Sequence, residues 1–329
     1  MSFNFGPTLL SWMEVYAKKA YERIIEADKN SLTLHGGHGC AIAQVYNHMI
    51  LPLANLNDKY TQVIWGIKDF EKRFGRKPEG IWLAETAVDP ETLEVLIDCG
   101  IKYTILSPYQ AQCVRNLEED DTWHDVSWGS IDPSMPYRYF PDENDKDKYI
   151  DLFFYDGAIS KSVAFDNLLC DGNKFAYRLQ DGYVESRNHP QLVNIATDGE
   201  SYGHHTKFGD MALSYVLEVK AEELGFKITN YGQFLEKFPP KFQVEIKPQS
   251  AWSCCHGVGR WADDCGCSTG AQPGWNQKWR KPLRDAMDFV RDELIKVCSG
   301  EGSKYYKDFW NARNNYIDVI LDRSEESYE

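Results

Sequence analysis

Two short segments of the chain place an acidic residue directly after a run of apolar residues. Gly80-Ile81-Trp82-Leu83-Ala84 is followed by Glu85, and Ile195-Ala196-Thr197 is followed by Asp198. Each run predicts a buried β-strand that ends on a carboxylate. In a barrel of parallel strands the carboxyl ends converge on one face, so two acids far apart in sequence meet in one cleft. Two carboxylates in one cleft are the groups that breaking a glycosidic bond requires.

Taken singly, each acid also fits a common structural role. A Glu that follows a strand often forms a surface salt bridge or caps the next helix. Asp198 precedes Gly199, which lets the chain turn sharply, so an Asx turn is an alternative for this residue. The occurrence of both acids at predicted strand ends favours the catalytic interpretation.

The composition predicts a globular protein with an acidic surface. Of 329 residues, 43% are hydrophobic and 14% are aromatic, which is enough for a large core. The 10 Trp and 19 Tyr supply aromatic faces that suit sugar rings as well as protein cores. The net charge of −14 argues against nucleic acid and anionic membranes as partners, whereas a neutral glucan is compatible with it.

The cysteines indicate a reducing compartment. There are 9 of them, an odd number, and most are scattered through unrelated segments rather than arranged as a disulfide framework. No run of about 18 or more apolar residues predicts a membrane-spanning helix. Because no signal-peptide pattern opens the chain, we expect a cytoplasmic protein.

Strand and helix patterns alternate along the chain. The predicted elements are helices over 60–74, 90–98 and 210–224, and strands over 80–84, 103–106 and 192–197. This βαβ order implies parallel pairing. Two features interrupt it: residues 137–140 and 149–154 predict a hairpin with a polar tip, and the tail over 276–323 predicts two amphipathic helices.

Several motifs, in the right order, resemble those of glycoside hydrolase family 57, which contains α-amylases, 4-α-glucanotransferases and branching enzymes. Trp82-Leu83-Ala84-Glu85 resembles the segment that holds the family's nucleophile, and Asp198-Gly199-Glu200 resembles the segment whose Asp is the acid/base. His48-Met49-Ile50-Leu51-Pro52-Leu53 is similar to the family's His-x-x-Leu-Pro-Leu motif. Phe154-Tyr155-Asp156-Gly157-Ala158-Ile159-Ser160 and the Trp-rich stretch over 252–279 resemble an amylase- or mannosidase-like branch of the family.

The resemblance implies an α/β fold, an incomplete (β/α)7-type barrel followed by a C-terminal helical segment. We expect a partial barrel with the catalytic residues over 1–240, and a Cys- and Trp-rich loop and helical segment that pack on the barrel over 241–329. No segment is similar to the His-x-x-Gln-Pro motif of the family's first strand, and residues 1–7 resemble its second strand. We therefore expect the first β/α unit to be absent from this chain.

The resemblance also implies a retaining mechanism on α-glucans such as maltooligosaccharides, with no cofactor required. Glu85 would attack the anomeric carbon while Asp198 protonates the leaving oxygen, and Asp198 would then activate water or an acceptor sugar. Such a pair is expected to lie about 5–5.5 Å apart. Because Asp198 must keep its proton longer than Glu85, we expect it in a less polar or more anionic environment, to which Glu200 contributes.

Further residues are candidate sugar contacts. A lone His beside apolar residues is more often a core histidine, but the resemblance makes His48 a sugar-binding residue. His38 lies in a loop rich in His and Gly, and His204 and His205 follow Asp198 closely; surface turns are the alternative for all three. The predicted substrate-binding residues are His48, Trp82, His38, Glu200, His204, His205, His256, Arg260 and Trp252.

A Cys- and His-rich cluster lies between residues 254 and 267. Cys254, Cys255, His256, Cys265 and Cys267 can supply the ligands of a structural zinc ion, although their spacing differs from that of Cys-x-x-Cys knuckles. Two alternatives stay open for this cluster. One is a set of free thiols packed around a Gly-rich loop, and the other is a loop in which His256 and Arg260 contact substrate.

Two other functions fit parts of the sequence. Asp198 followed by His204 and His205 loosely resembles an Asp/His metal site, so a metal-dependent carbohydrate deacetylase is one alternative. A catalytically inactive glucan-binding fragment is the other. A chelator distinguishes the deacetylase from the glycosidase, whose two carboxylates need no metal.

Overall fold

The computed structural model describes residues 1–118, 122–267 and 272–328. The chain forms two compact units, each assembled from separate stretches. The first unit contains Met1–Phe3, Ala27–Cys40 and Tyr103–Ile246, and the second contains Asn4–Glu26, Ala41–Lys102 and Lys247–Glu329. The expected division of the chain near residue 240 into barrel and appendage stays a prediction.

The elements are numbered in chain order. The strands are β1 (Ala43–Gln44), β2 (Gly80–Trp82), β3 (Tyr103–Leu106), β4 (Ala111–Asn116), β5 (His124–Asp125), β6 (Tyr137–Tyr139), β7 (Ile150–Phe154) and β8 (Phe242–Ile246). The helices are α1 (Pro7–Tyr16), α2 (Lys18–Leu34), α3 (Leu56–Phe74), α4 (Pro90–Asp98), α5 (Gly157–Phe165), α6 (Gly172–Gln180), α7 (Gly209–Tyr215), α8 (Ala221–Glu223), α9 (Tyr231–Lys237), α10 (Gly259–Ala262), α11 (Arg280–Glu301) and α12 (Phe309–Leu321). A π-helical turn, Val216–Lys220, joins α7 to α8.

The first unit contains a mixed sheet whose strands follow the order β3-β7-β6-β8-β4-β5. β3 and β7 pair in parallel, whereas β6 and β7 form the predicted antiparallel hairpin. β8 runs antiparallel to β4 and parallel to β6, so the parallel pairing inferred from the βαβ order holds for only part of this sheet. Aromatic residues fill its core; Tyr103, Phe153, Phe154 and Phe175 are fully buried.

The second unit contains the strand that precedes Glu85. β2 pairs in parallel with β1, with Ile81 opposite Ala43. α3 begins after Asn55, whose side chain accepts the Asp58 N–H, and ends at Gly75, which adopts the left-handed conformation (φ 66°). The two predicted C-terminal helices are confirmed as α11 and α12, and α12 packs on α3.

The strand predicted over 192–197 is wrong. This segment forms no ladder, because its polar groups are satisfied by neighbouring loops and helices. The Leu192 N–H donates to the Ser134 carbonyl, and the Ala196 N–H donates to Oγ of Ser160. Asn194 is buried and donates its amide to the Pro133 and Phe154 carbonyls. The apolar run thus reflects burial of the segment and not pairing in the sheet.

Replacement of Gly66 by Ala should destabilise the second unit. Gly66 lies within α3, and a Cβ there would be only 2.0 Å from the backbone oxygen of Gln44 in β1. The helix and the strand would have to separate, so we expect Gly66→Ala to lower the free energy of unfolding by about 1–3 kcal/mol in urea titrations.

Gly300 in α11 is the matched control, because a Cβ there meets nothing within 4 Å. Gly300→Ala should raise the free energy of unfolding by up to about 1 kcal/mol through its helix propensity. Equal effects of the two substitutions would contradict the close approach of α3 to β1.

None of the helices in the described ranges has the length and apolar character that crossing a bilayer requires.

Candidate active site

Glu85 lies where the chain leaves β2. The strand is followed by fully buried Leu83 and then by a 3-10 turn, Ala84–Thr86. Glu85 and Thr86 both have positive φ values, 57° and 52°. Non-glycine residues in this region cost of order 1–3 kcal/mol each and occur preferentially at functional sites. Contacts with the rest of the unit hold this conformation.

A second segment of the chain, centred on Trp252, holds this turn in place. Val88 and Ser250 form an antiparallel bridge. The Trp252 backbone N–H donates to the Glu85 carbonyl at 3.2 Å and to Oγ1 of Thr86 at 3.0 Å. Thr86 is fully buried, so its hydroxyl supplies the internal partner that this N–H needs.

The Glu85 carboxylate has polar neighbours that favour its charged form. Nε2 of His48 lies 3.9 Å from Oε1, and the indole Nε1–H of Trp252 donates to Oε2 at 2.8 Å. The His48 imidazole is the larger cause, and with the Trp252 indole it outweighs partial burial and lowers the pKa of Glu85 to about 2. The carboxylate is therefore ionised at neutral pH, while its side chain remains 32% exposed.

His48 is positioned by the loop between β1 and α3. Like Glu85 it has a positive φ, 54°, and its backbone N–H donates to the Val45 carbonyl. The preceding residue, Asn47, exchanges two hydrogen bonds with the Gln62 side chain of α3. The His48 side chain is 59% exposed. This imidazole is thus a surface-accessible group beside the carboxylate and not a core histidine.

Trp82 and Trp252 form an aromatic pair next to Glu85. Their rings meet edge to face, with centroids 5.2 Å apart. Both residues are partly exposed. The structure therefore brings four of the predicted site residues together in the second unit: Glu85, His48, Trp82 and Trp252.

The other predicted site residues of the second unit belong to the Cys-rich loop. His256 is exposed, and its Nδ1 lies 3.4 Å from Sγ of Cys267. Arg260 is partly buried at the start of α10, and its Nε has no partner among the described residues.

Asp198 belongs to the first unit, together with four other predicted residues. It precedes a 3-10 turn, Gly199–Tyr202, and both Asp198 and Glu200 are exposed. The less polar or more anionic environment expected for Asp198 stays a prediction. The backbone N–H groups of His204 and His205 donate to the Glu200 carbonyl, and their exposed rings lie 5.0 Å apart.

His38 also belongs to the first unit, where it has a structural partner. Its Nε2 lies 3.2 Å from Oε2 of Glu236, and its side chain is only 13% exposed. Its backbone oxygen accepts the side-chain amide of Asn230. These contacts connect the loop after α2 to α9, and a role of His38 in sugar binding stays a prediction.

Several residues that support the site were not identified from the sequence. Lys59 of α3 is 1% exposed, and its Nζ lies 3.0 Å from Asp89 and 2.7 Å from Glu91. Asp89 also accepts the Thr92 N–H and so caps α4, directly after the Glu85 turn. A Lys at an inward-facing position of α3 is the one sequence signal for this buried ion pair.

This chain is similar to known protein families and to several individual proteins. The family described as Glycosyl hydrolase family 57 matches residues 7–247, and a domain of unknown function, DUF3536, matches residues 275–329. The chain is 25% identical over 205 residues to Alpha-amylase 1 of Dictyoglomus thermophilum, covering 56% of this chain and 28% of that protein. It is 22% identical over 256 residues to the α-amylase of Pyrococcus abyssi, covering 75% and 34%. The chain thus spans about a third or less of the length of these relatives.

Solved structures show the same fold. An exo-type maltose-forming amylase from Pyrococcus sp. ST04 superposes with a TM-score of 0.72 at 18% identity, covering 99% of this chain and 56% of that chain. A branching enzyme from Pyrococcus horikoshii gives a TM-score of 0.65 at 18% identity, covering 97% and 72%. The predicted α/β fold with a C-terminal helical segment is confirmed. Because the family match extends over most of its residues, this chain belongs to glycosyl hydrolase family 57.

Proposed function

We propose that this chain is a retaining glycoside hydrolase or transglycosylase that acts on α-glucans, with Glu85 as nucleophile and Asp198 as acid/base. The observation that carries the proposal is the Glu85 carboxylate, ionised at a strand end between an imidazole and an indole N–H. Family membership supports it, as do the relatives, which are named as two α-amylases and a 4-alpha-glucanotransferase of Thermococcus litoralis.

In the first step of the proposed mechanism, Glu85 replaces the leaving group. Oε2 is held by the Trp252 indole, so we assign the attack on the anomeric carbon to Oε1. The carbon–oxygen bond to the leaving sugar breaks, and its electron pair takes the proton of Asp198. The product is a glycosyl ester of Glu85. A nucleophile with a low pKa is also a good leaving group, which favours the second step.

In the second step, Asp198 removes a proton from water or from an acceptor hydroxyl. The resulting oxygen attacks the anomeric carbon, the ester bond breaks, and Glu85 leaves as a carboxylate. Two inversions give net retention of the anomeric configuration. The paired rings of Trp82 and Trp252 offer an aromatic surface for a sugar ring beside the reacting carbon.

Among the described residues, Asp198 is not part of a metal-ligand cluster of the kind that a deacetylase requires. Within the described ranges, the grouping of three or more metal-ligating side chains lies at Cys254, His256, Cys265 and Cys267. Asp198, His204 and His205 do not form one. No observation therefore favours a catalytic metal at Asp198.

Replacement of Trp252 by Phe should shift the pH dependence of activity. The substitution keeps an aromatic ring against Trp82 but removes the N–H that donates to Glu85. The pKa of Glu85 should rise, so the acid limb of kcat/KM should move to higher pH. Loss of one charge-assisted hydrogen bond, about 1.5–3 kcal/mol, predicts a shift of the acid limb by about 1–2 pH units.

Trp82→Phe is the matched control, since Trp82 belongs to the same aromatic pair, whereas the indole that donates to Glu85 is that of Trp252. It should leave the acid limb in place. An unchanged acid limb in Trp252→Phe would contradict the role assigned to this indole.

The function itself is tested by a proton NMR time course with maltoheptaose. We expect the α-anomer to appear first, or longer oligosaccharides to form, in the presence and absence of EDTA. Initial release of the β-anomer would contradict the retaining mechanism. No turnover by the folded chain would contradict the enzymatic function.

A further inference from the structure

Three thiols and one imidazole of the second unit converge on one point. The ligand atoms of Cys254, His256, Cys265 and Cys267 all lie within 4.8 Å of one another. They come from two short stretches on either side of α10. Cys254 is buried, Cys265 and Cys267 are partly buried, and His256 is exposed at the edge of the cluster.

Four of the six distances between these atoms are close to those of a tetrahedral zinc site, and the other two are at most 4.8 Å. Zinc binds sulfur at about 2.3 Å and imidazole nitrogen at about 2.0–2.1 Å, so the tetrahedron's edges are about 3.8 Å between sulfurs and about 3.5 Å between sulfur and nitrogen. Sγ of Cys254 lies 3.9 Å from Sγ of Cys265 and 3.7 Å from Sγ of Cys267. Nδ1 of His256 lies 3.4 Å from Sγ of Cys267 and 3.9 Å from Sγ of Cys254.

The backbone turns at both ligand stretches so that the side chains can meet. Gly266, between Cys265 and Cys267, has a φ of 79°, which favours glycine. Gly257, directly after His256, has a φ of 68°, and a Cβ there would lie 2.2 Å from the backbone oxygen of Gln249. The glycine between Cys265 and Cys267 allows a turn of the backbone. Both thiols of this Cys-x-Cys segment can therefore reach the same cluster.

A side-chain hydrogen bond holds the second ligand stretch. The Gln277 side chain donates to the Cys267 carbonyl and so fixes this stretch. Hydrogen bonds around the ligands of a metal site orient them.

We infer that Cys254, His256, Cys265 and Cys267 bind one structural zinc ion. Four protein ligands complete the tetrahedron and leave no open position for substrate or water, which is typical of structural sites. Cys255 is exposed, and although its Sγ lies 3.6 Å from Nδ1 of His256, it does not belong to the set of atoms that all lie within 4.8 Å of one another, so we exclude it from the ligand set.

The zinc ion would fix the segment that holds the Glu85 turn. Cys254 forms an antiparallel bridge with Ala251, and Trp252 lies between these two residues. A metal at Cys254 would hold this bridge and limit the movement of the Trp252 indole on Glu85. This consequence for activity rests on the proposed function, whereas metal binding does not.

The test measures metal content without turnover. The full chain, purified under reducing conditions without chelator, should contain about one zinc per molecule by elemental mass spectrometry. Cys265→Ser and His256→Ala should each lower retained zinc at least about tenfold after dialysis. Cobalt-substituted protein should show the intense visible absorption of tetrahedral thiolate-bound Co²⁺.

Two variants serve as controls for folding and specificity. Cys255→Ser should keep zinc, since this neighbouring thiol is not a ligand. His256→Cys should also keep zinc, bound by thiolates alone, which shows that the loop tolerates substitution at this position. If Cys265→Ser does not fold, metal binding can be tested on the wild-type chain instead. Zinc is removed and then returned, and circular dichroism and the cobalt spectrum show whether the chain binds the metal again.

Three results would overturn the inference. In the first, the wild-type chain lacks stoichiometric zinc and also fails to bind added Co²⁺. In the second, Cys255→Ser and Cys265→Ser lose zinc equally. In the third, these cysteines form a disulfide under reducing conditions. A chain that binds zinc but does not cleave maltoheptaose would contradict the proposed function and leave the zinc site standing.

Discussion

Glu85→Gln should abolish turnover while the chain stays folded. The amide cannot form the glycosyl ester, so kcat on maltoheptaose should fall by at least about 10⁴-fold, as for other enzymes that lose their nucleophile. The Gln side-chain oxygen can still accept the Trp252 indole N–H, and Gln fits the same turn. Initial rates, with circular dichroism as the folding readout, measure both effects.

The same variant has a distinct effect on stability in acid. The pKa of Glu85 in the folded chain is about 2, below the ordinary value of 4.5. Its ionised form therefore stabilises the fold above about pH 4.5, and this contribution disappears as the pH falls toward 2. Glu85→Gln should lose less stability between these pH values than wild type does.

Turnover of maltoheptaose by Glu85→Gln within tenfold of wild type would contradict the role of Glu85.

Lys59→Met should cause a large loss of stability. Its ammonium is 1% exposed and lies between the Asp89 and Glu91 carboxylates. Removal of this charge leaves the Asp89 carboxylate, 12% exposed, without its buried cation. We expect the free energy of unfolding in urea to fall by about 3–5 kcal/mol, because an uncompensated buried charge costs far more than the ion pair contributes.

Glu91→Gln is the matched control for the Lys59 substitution. Glu91 belongs to the same ion pair but is 51% exposed, so its loss should change the free energy of unfolding by at most about 1 kcal/mol. Equal effects of the two substitutions would contradict the difference in burial. Asp89 caps α4 a few residues after Glu85, so Lys59→Met should also lower kcat/KM.

The sequence is sufficient to predict several local elements in both units. The helix over 90–98, the strand over 103–106 and the hairpin formed by β6 and β7 are confirmed. The periodicity of hydrophobic residues and the glycines that end helices depend on nearby residues alone, so they predict these elements well. A buried loop and a buried strand both consist of a run of apolar residues. The pattern over 192–197 therefore does not distinguish between them.

The environment of Glu85 could not be predicted from local signals. The indole that bonds to its carboxylate comes from Trp252, 167 residues further along the chain. The motif predicts His48 as a site residue. Its approach to Glu85, however, depends on the left-handed backbone conformation of His48, which a histidine at this position does not predict. The Cys-rich cluster was identified as candidate ligands; the exclusion of Cys255 depends on which way each side chain points.

Covalent trapping of the nucleophile identifies the carboxylate that attacks the anomeric carbon. The chain would be incubated with 5-fluoro-α-D-glucosyl fluoride, digested and mapped by peptide mass spectrometry, with Glu85→Gln beside it. We expect one fluoroglucosyl adduct on Glu85 in wild type and none at that position in the variant. An adduct on another carboxylate, or continued turnover of maltoheptaose without an adduct on Glu85, would contradict the assignment of Glu85 as nucleophile.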